Sequence, residues 1–331
     1  MGAFGTDFAS TMAFATYSDG EWSRIRLQPV EPLQLHPAAH VFHYASTCFE
    51  GLKAYRHADG SLHIFRLDRH IARLRKSTEL LCLPVPGPEA LEEAIRNLVS
   101  ACADDIPPYP GALYLRPVVC GTEPNIGGAA HAVNEAFFFV LASPVGSYFG
   151  GGGEKMLRIF LDDQHMRSTP DFGAAKSGGN YAAALRHIIK ARKEFEADQV
   201  LFCPGGDVQE TGAANFFLLD DDKVVTRTID GSILNGITRD SLLTLARSNG
   251  YTVEERQILV PELLEWVKSG EAALSGTAAV LAGVGTLIHQ GQEYAVGDGQ
   301  PGRNTRRLRE MLSSIHSGES ADELGWLTPV S

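Results

Sequence analysis

Over residues 12–65 the chain runs in short apolar stretches, interrupted at Ser18-Asp19-Gly20 and Asp59-Gly60, sequences that favour tight turns. Antiparallel strands and hairpins are predicted there. From Leu67 the period changes. Leu67, Ile71, Leu74 and Leu81 recur at helical spacing, as do Leu91, Ile95, Leu98 and Cys102, which predicts two amphipathic helices separated by Pro84, Pro86 and Pro88. Strand-like runs return at 112–120 and 135–141. Strands, then helices, then strands describe an α+β first domain over residues 1–144.

Gly150 to Gly153 are four consecutive glycines, which cannot hold a packed element without a large entropic cost, so residues 145–153 are expected to be an interdomain loop or a mobile loop over a site. A second domain is expected over 154–331. Its pattern predicts a strand at 156–161, a helix at 181–195, strands at 199–203 and 214–219, a helix at 238–248, strands at 251–255 and 271–275, and a closing helix at 303–314. No internal repeat is visible.

The chain has 331 residues, 44% of them hydrophobic, which is enough for two cored domains. Its formal net charge of −11 is spread along the sequence, which argues against a nucleic-acid or anionic-membrane partner. Five cysteines without a CxxC pair suggest neither a disulfide framework nor a zinc knuckle and favour a reducing, cytoplasmic location. The N-terminus lacks the pattern of a signal or transit peptide, and no apolar run reaches membrane-spanning length, so a soluble, unprocessed protein is expected.

Candidate chemistry begins at Lys176, within Gly173-Ala-Ala-Lys176-Ser-Gly-Gly-Asn-Tyr181. Neighbours with almost no side chain let a bulky planar group approach the backbone, which a solvent-facing lysine does not require. A phosphate-binding loop ending at Lys176-Ser177 is excluded, because Ala175 and Pro170 stand where its glycines belong. Glu210 precedes a second run of small residues. Asn235-Gly-Ile-Thr-Arg-Asp240 opens a predicted helix with Thr238 as a candidate cap, and Leu274-Ser-Gly-Thr-Ala-Ala279 offers hydroxyls and backbone amides in a turn. Singly, each of these suits a cap, a turn or a solvated surface. Together, a lysine amine, an acid for a pyridine nitrogen and two amide-rich turns for a phosphate are the parts that pyridoxal 5'-phosphate requires of a protein. His36, His40 and His43 lie close together but lack metal-ligand spacing, and Gly283-Val-Gly285 has Ile288 where a dinucleotide loop needs its third glycine, so no metal site is expected.

The sequence resembles the branched-chain amino acid aminotransferases, fold-type IV pyridoxal-phosphate enzymes. The resemblance rests on His43-Tyr44, Cys48-Phe-Glu-Gly-Leu-Lys-Ala-Tyr55, Leu113-Tyr-Leu-Arg-Pro-Val118, Lys176-Ser-Gly-Gly-Asn-Tyr181, Gly236-Ile-Thr-Arg239 and Ser275-Gly-Thr-Ala278, and it extends from about Leu35 to Val330. It implies a small α/β domain with an antiparallel sheet and a larger pseudo-barrel domain. Lys176 would carry the cofactor and move the substrate proton. Glu210 would bond the pyridine nitrogen and Tyr181 the phenolic oxygen, while Arg73, Ile237, Thr238 and Thr277 would hold the phosphate. Tyr114 with the amides of Thr277 and Ala278 would take the substrate carboxylate, and Arg116 the distal carboxylate of glutamate or 2-oxoglutarate. Phe49, Tyr44, Tyr148 and Tyr181 would line the side-chain pocket. The resemblance further implies L-amino and 2-oxo acid substrates, ping-pong kinetics, a role in branched-chain amino acid biosynthesis and a homodimer.

Three features depart from the family pattern. Gly128 stands where a pocket-lining valine is usual, which suggests a larger cavity and a bulkier substrate. Asn235 replaces a proline, and Ala279 and Ala282 replace the CxxC pair of mammalian members, so no thiol switch is expected. Two further readings stay open, a D-amino-acid transaminase or aminodeoxychorismate lyase on the same fold, and a catalytically silent binding protein. Intact Lys176 and Glu210 argue against the last.

Overall fold

Period-two burial along strand Ala112–Gly121 and along Ala136–Val145 makes these two ten-residue strands the spine of the first unit. They pair antiparallel from Ala112↔Val145 to Gly121↔Ala136. The computed structural model describes residues 4–146 and 155–330. Among these, the first unit holds a nine-stranded sheet. Strands Thr11–Ser18 and Leu52–Arg56 flank the spine, and Leu62–Phe65 lies beyond the latter.

Helices Leu67–Leu80 and Pro88–Ala101 occupy the stretches their spacing predicts, and each buries its apolar stripe (Leu67, Ile71 and Leu74; Leu91, Ile95 and Leu98) in the core with Ile64, Leu113, Leu115 and Phe138. Pro88 starts the second of them, where a missing N–H costs nothing.

The second unit is built on an eight-stranded mixed sheet among the described residues. Leu157–Asp162 pairs parallel with both Gln199–Phe202 and Val280–His289, and Asn215–Leu219 pairs antiparallel with Glu271–Gly276. Parallel pairing buries both faces of a strand. Strand Val280–His289 accordingly lacks the alternation that reveals a strand in sequence, and its Gly283 and Gly285 mimic a nucleotide-loop fragment instead. Helices Gly178–Phe195, Ile237–Ser248 and Arg303–Ser317 match the predicted ones to within a few residues.

The two units are not two contiguous halves of the chain. Residues 175–179 and 315–330 belong to the first unit. The physical reason at the C-terminal end is hydrogen bonding, because Leu327–Val330 pairs with Leu62–Phe65 at the edge of the first sheet. The expected loop at 145–153 begins later, since Val145 still belongs to a strand, and residues 147–153 lie outside the described residues. No helix among the described residues is long and apolar enough to cross a membrane.

Candidate active site

In the first unit, the sequence Phe49-Glu50-Gly51 leaves the edge of the spine and meets the segment that carries Lys176. The Phe49 N–H donates to the Lys176 carbonyl at 3.0 Å, and the Lys176 N–H donates to Ser77 Oγ at 3.0 Å. The lysine is therefore anchored through its backbone. Its half-buried side chain brings Nζ to 5.0 Å from the centre of the Phe49 ring. Gly178 lies against Thr47, where an added Cβ would stand 3.1 Å from Thr47 Cγ2.

Ser77 and Arg73 lie four residues apart on helix Leu67–Leu80 and so share a face. Arg73 forks onto the fully buried Glu50, with Nε at 2.7 Å from Oε1 and Nη2 at 2.9 Å from Oε2, while His70 Nδ1 is 2.7 Å from Oε2. Burial alone would raise the Glu50 carboxyl, but the Arg73 guanidinium and His70 hold it well below the usual carboxylate range. Burial likewise lowers His70 despite Glu50, so its ring is a neutral donor to that carboxylate. The phosphate ligand expected at Arg73 is thus already aimed by an acid that spacing alone did not reveal as a partner.

Tyr114 and Arg116 share one face of their strand by period two. Arg116 Nη2 donates to Tyr114 Oη at 3.0 Å, and its guanidinium lies over the Phe49 and Tyr114 rings at 4.8 and 5.3 Å. Buried Arg116 Nε has no partner among the described residues. A Cβ at Gly51 would stand 2.0 Å from Tyr114 Oη, so only glycine admits the phenol. Tyr44 donates to the Ile126 carbonyl. Tyr148 lies outside the described residues.

At Gly128 the space for a side chain is limited. A Cβ there would meet His40 Cδ2 at 3.1 Å and Asn125 Cγ at 3.3 Å, and His40 is fixed by Ser46 Oγ at 2.9 Å and the Gly128 carbonyl at 3.2 Å. A side chain at 128 would press on that imidazole.

In the second unit, Glu210 is buried and held on both oxygens. Its Oε1 accepts from Arg167 Nη1 at 2.7 Å and from the Leu234 N–H at 3.0 Å, and its Oε2 accepts from Asn215 Nδ2 at 3.1 Å. Arg167, 1% exposed, also lies over the Tyr181 ring at 5.6 Å and donates to the Gly212 carbonyl at 3.3 Å. A buried carboxylate needs such a counter-ion, yet Arg167 stands in an irregular segment with no sequence pattern to mark it.

Asn215 Nδ2 also reaches the Leu234 carbonyl at 2.9 Å, and a Cβ on Gly236 would stand 2.0 Å from Asn215 Oδ1. Loop 234–236 is therefore locked onto the Glu210 cluster. It delivers the helix Ile237–Ser248, whose N-cap is Gly236 rather than the expected Thr238. A glycine N-cap has no side chain to occupy the first-turn amides, which leaves a helix N-terminus suited to an anion. Ser275 Oγ is buried with no partner among the described residues, and Thr277 and Ala278 follow it in the turn before Val280. Val280 has φ of +62°, a strained conformation for a β-branched residue, of the kind retained at functional turns.

The class IV amino-transferase family matches residues 47–286, and the chain belongs to this family. Among its relatives, a Mycolicibacterium smegmatis protein named branched-chain-amino-acid aminotransferase is 40% identical, with 98% of this chain and 91% of that protein covered. A solved T.th. branched-chain amino acid aminotransferase with pyridoxamine 5'-phosphate superposes with a TM-score of 0.79 at 28% identity, covering 96% of this chain and 99% of that one. The branched-chain amino acid aminotransferase of Thermobaculum terrenum in its PLP-form gives 0.81 at 25% identity, covering 98% of this chain and 100% of that one. The two-domain α+β architecture is that of the fold-type IV aminotransferases.

Proposed function

We propose that this protein is a pyridoxal-phosphate-dependent aminotransferase that moves the amino group of L-branched-chain or bulkier apolar L-amino acids to 2-oxoglutarate by a ping-pong mechanism, as a cytoplasmic homodimer in branched-chain amino acid biosynthesis. The observation that carries the reading is the buried Glu210 carboxylate, locked by Arg167, Asn215 and the Leu234 amide in a chain 40% identical to a branched-chain aminotransferase. The protein's groups fit the cofactor in kind: an anchored amine, a buried acid, a helix N-terminus without a side-chain cap and an orphaned buried hydroxyl at Ser275.

When bound, the cofactor supplies an electron sink for the pair of electrons left on the substrate Cα. Lys176 would hold it through its amine and, as a neutral amine, would move the proton at the substrate Cα. Glu210 keeps the ring nitrogen cationic, and Arg167 supports the acid in that task. Tyr181 serves the phenolic oxygen. Arg73, aimed by Glu50, binds the phosphate with Ile237, Thr238 and Thr277. Tyr114 and the amides of Thr277 and Ala278 orient the α-carboxylate. Arg116 takes the second carboxylate of glutamate, and Phe49, Tyr44, Tyr148 and Tyr181 receive the apolar side chain.

The test is a substrate panel on the purified yellow protein. L-Leucine, L-isoleucine or a bulkier apolar L-amino acid is expected to bleach the cofactor band, and 2-oxoglutarate to restore it. A response to D-amino acids alone would assign the chain to D-amino-acid transamination, and failure to bind cofactor would make it a silent relative.

A further inference from the structure

A cluster that the proposed chemistry does not use lies where strand Leu157–Asp162 ends. Asp162, 7% exposed, closes a local turn by accepting the N–H groups of Gln164 at 3.1 Å and His165 at 3.0 Å on Oδ1. The turn brings the His165 ring over the same carboxylate, with Nδ1 at 3.0 Å from Oδ1 and 3.1 Å from Oδ2. His187, from the middle of helix Gly178–Phe195, places its Nδ1 at 3.3 Å from Oδ2. The two rings stand 4.4 Å apart and tilted by 48°.

We propose that Asp162, His165 and His187 form a binding site for a divalent transition cation of the zinc class. Two imidazoles and one carboxylate are the donor set that such borderline ions prefer over magnesium or calcium. All three donor atoms lie within 4.8 Å of one another. Zinc bonds of about 2.1 Å in tetrahedral geometry put donor atoms about 3.4 Å apart, so the carboxylate-to-imidazole spacings of 3.0 to 3.3 Å already fit. Binding needs only that both rings carry their proton on Nε2, leaving Nδ1 as the ligand. Three protein ligands leave coordination positions open, and the cluster lines a cavity of about 400 Å³ with Arg186 and Lys190, which would donate to a small anion on the metal. In sequence the site is hidden because His187 comes from a separate element.

The test uses the cofactor-loaded protein, stripped of metals with a chelator and titrated calorimetrically with zinc chloride. A parallel titration with cobalt(II) is read by the ligand-field bands that lie to longer wavelength than the cofactor absorption. One zinc per chain is expected, with a rise in melting temperature, in both wild type and a His43→Ala control. Asp162→Asn and His187→Gln are each expected to weaken binding roughly 100-fold or more, beyond the loss seen when only a ligand's outer partner is removed. Cobalt(II) bands are expected in wild type and absent from both variants. Unchanged zinc binding by the two variants, or no binding by wild type, would overturn the proposal in favour of a purely hydrogen-bonded cluster. Neither result depends on turnover, so the aminotransferase reading is tested separately.

Discussion

Removing the guanidinium of Arg167 is the most informative single perturbation. Arg167 and Glu210 have side chains 1% and 3% exposed and meet at 2.7 Å. In Arg167→Met the acid keeps its bonds to Asn215 and Leu234 but loses its counter-ion. Breaking one side of a buried pair costs about 3–5 kcal/mol because the remaining charge is stranded. For a unit of this size that is a fall of on the order of 10 °C in melting temperature. The assay is thermal unfolding of cofactor-free protein, since bound cofactor shifts the midpoint by mass action. The double variant Arg167→Met/Glu210→Gln removes the stranded charge and is expected to recover more than half of the loss, a coupling that a double-mutant cycle isolates. In the loaded enzyme the single variant is also expected to lower kcat more than it raises KM, because it acts on the acid that serves the ring. An Arg167→Met protein melting within about 2 °C of wild type, less than one stranded charge should cost, would refute the reasoning.

Gly51→Ala is expected to lower kcat/KM for 2-oxoglutarate at least about tenfold by displacing Tyr114 and the Arg116 it bonds, as steady-state kinetics will show. Glu50 lies well below its ordinary value because of Arg73 and His70, so its stabilisation is complete above the unfolded range near 4.5 and fades as pH falls toward the depressed value. Glu50→Gln should therefore melt lower than wild type at pH 7, with the gap narrowing in more acid buffer. Burial, with Lys53 beside it, pushes His316 down to about 3 from an ordinary 6.5, so between these values the unfolded chain binds the extra proton and stability rises with pH. At pH 5 this costs about 2 kcal/mol relative to neutral pH. His316→Phe, whose ring can keep the stack on Tyr55 at 4.7 Å, should flatten that slope in urea titrations. Gly128→Val is expected to lower the melting temperature by crowding His40 and, if the residue also borders the side-chain pocket, to narrow the range in a panel of apolar substrates.

What the sequence revealed and what it hid follow from physical range. The helices at Leu67–Leu80 and Ile237–Ser248 were legible because burying one face imposes a 3.6-residue period. Strand Val280–His289 was not, because its small residues and two-sided burial erase alternation. Lys176 and Glu210 stood out because small neighbours are a local signal, whereas Ile237 and Thr238 were named as phosphate ligands through the resemblance. Arg167, Asn215 and Ser77, the partners of Glu210 and Lys176, did not stand out, nor did Glu50 as the partner of Arg73, since an ion pair between distant segments leaves no periodic trace in either.

The proposed function rests most directly on Lys176 being the amine that carries the cofactor. Borohydride reduction of the yellow protein, followed by peptide mass mapping, traps that bond permanently. The natural competitor is Lys53, a second buried lysine that burial pushes down to about 8 and hence toward a reactive neutral amine. A single pyridoxyl group on the peptide containing Lys176 is the predicted result; label on Lys53, or on no lysine, would contradict it.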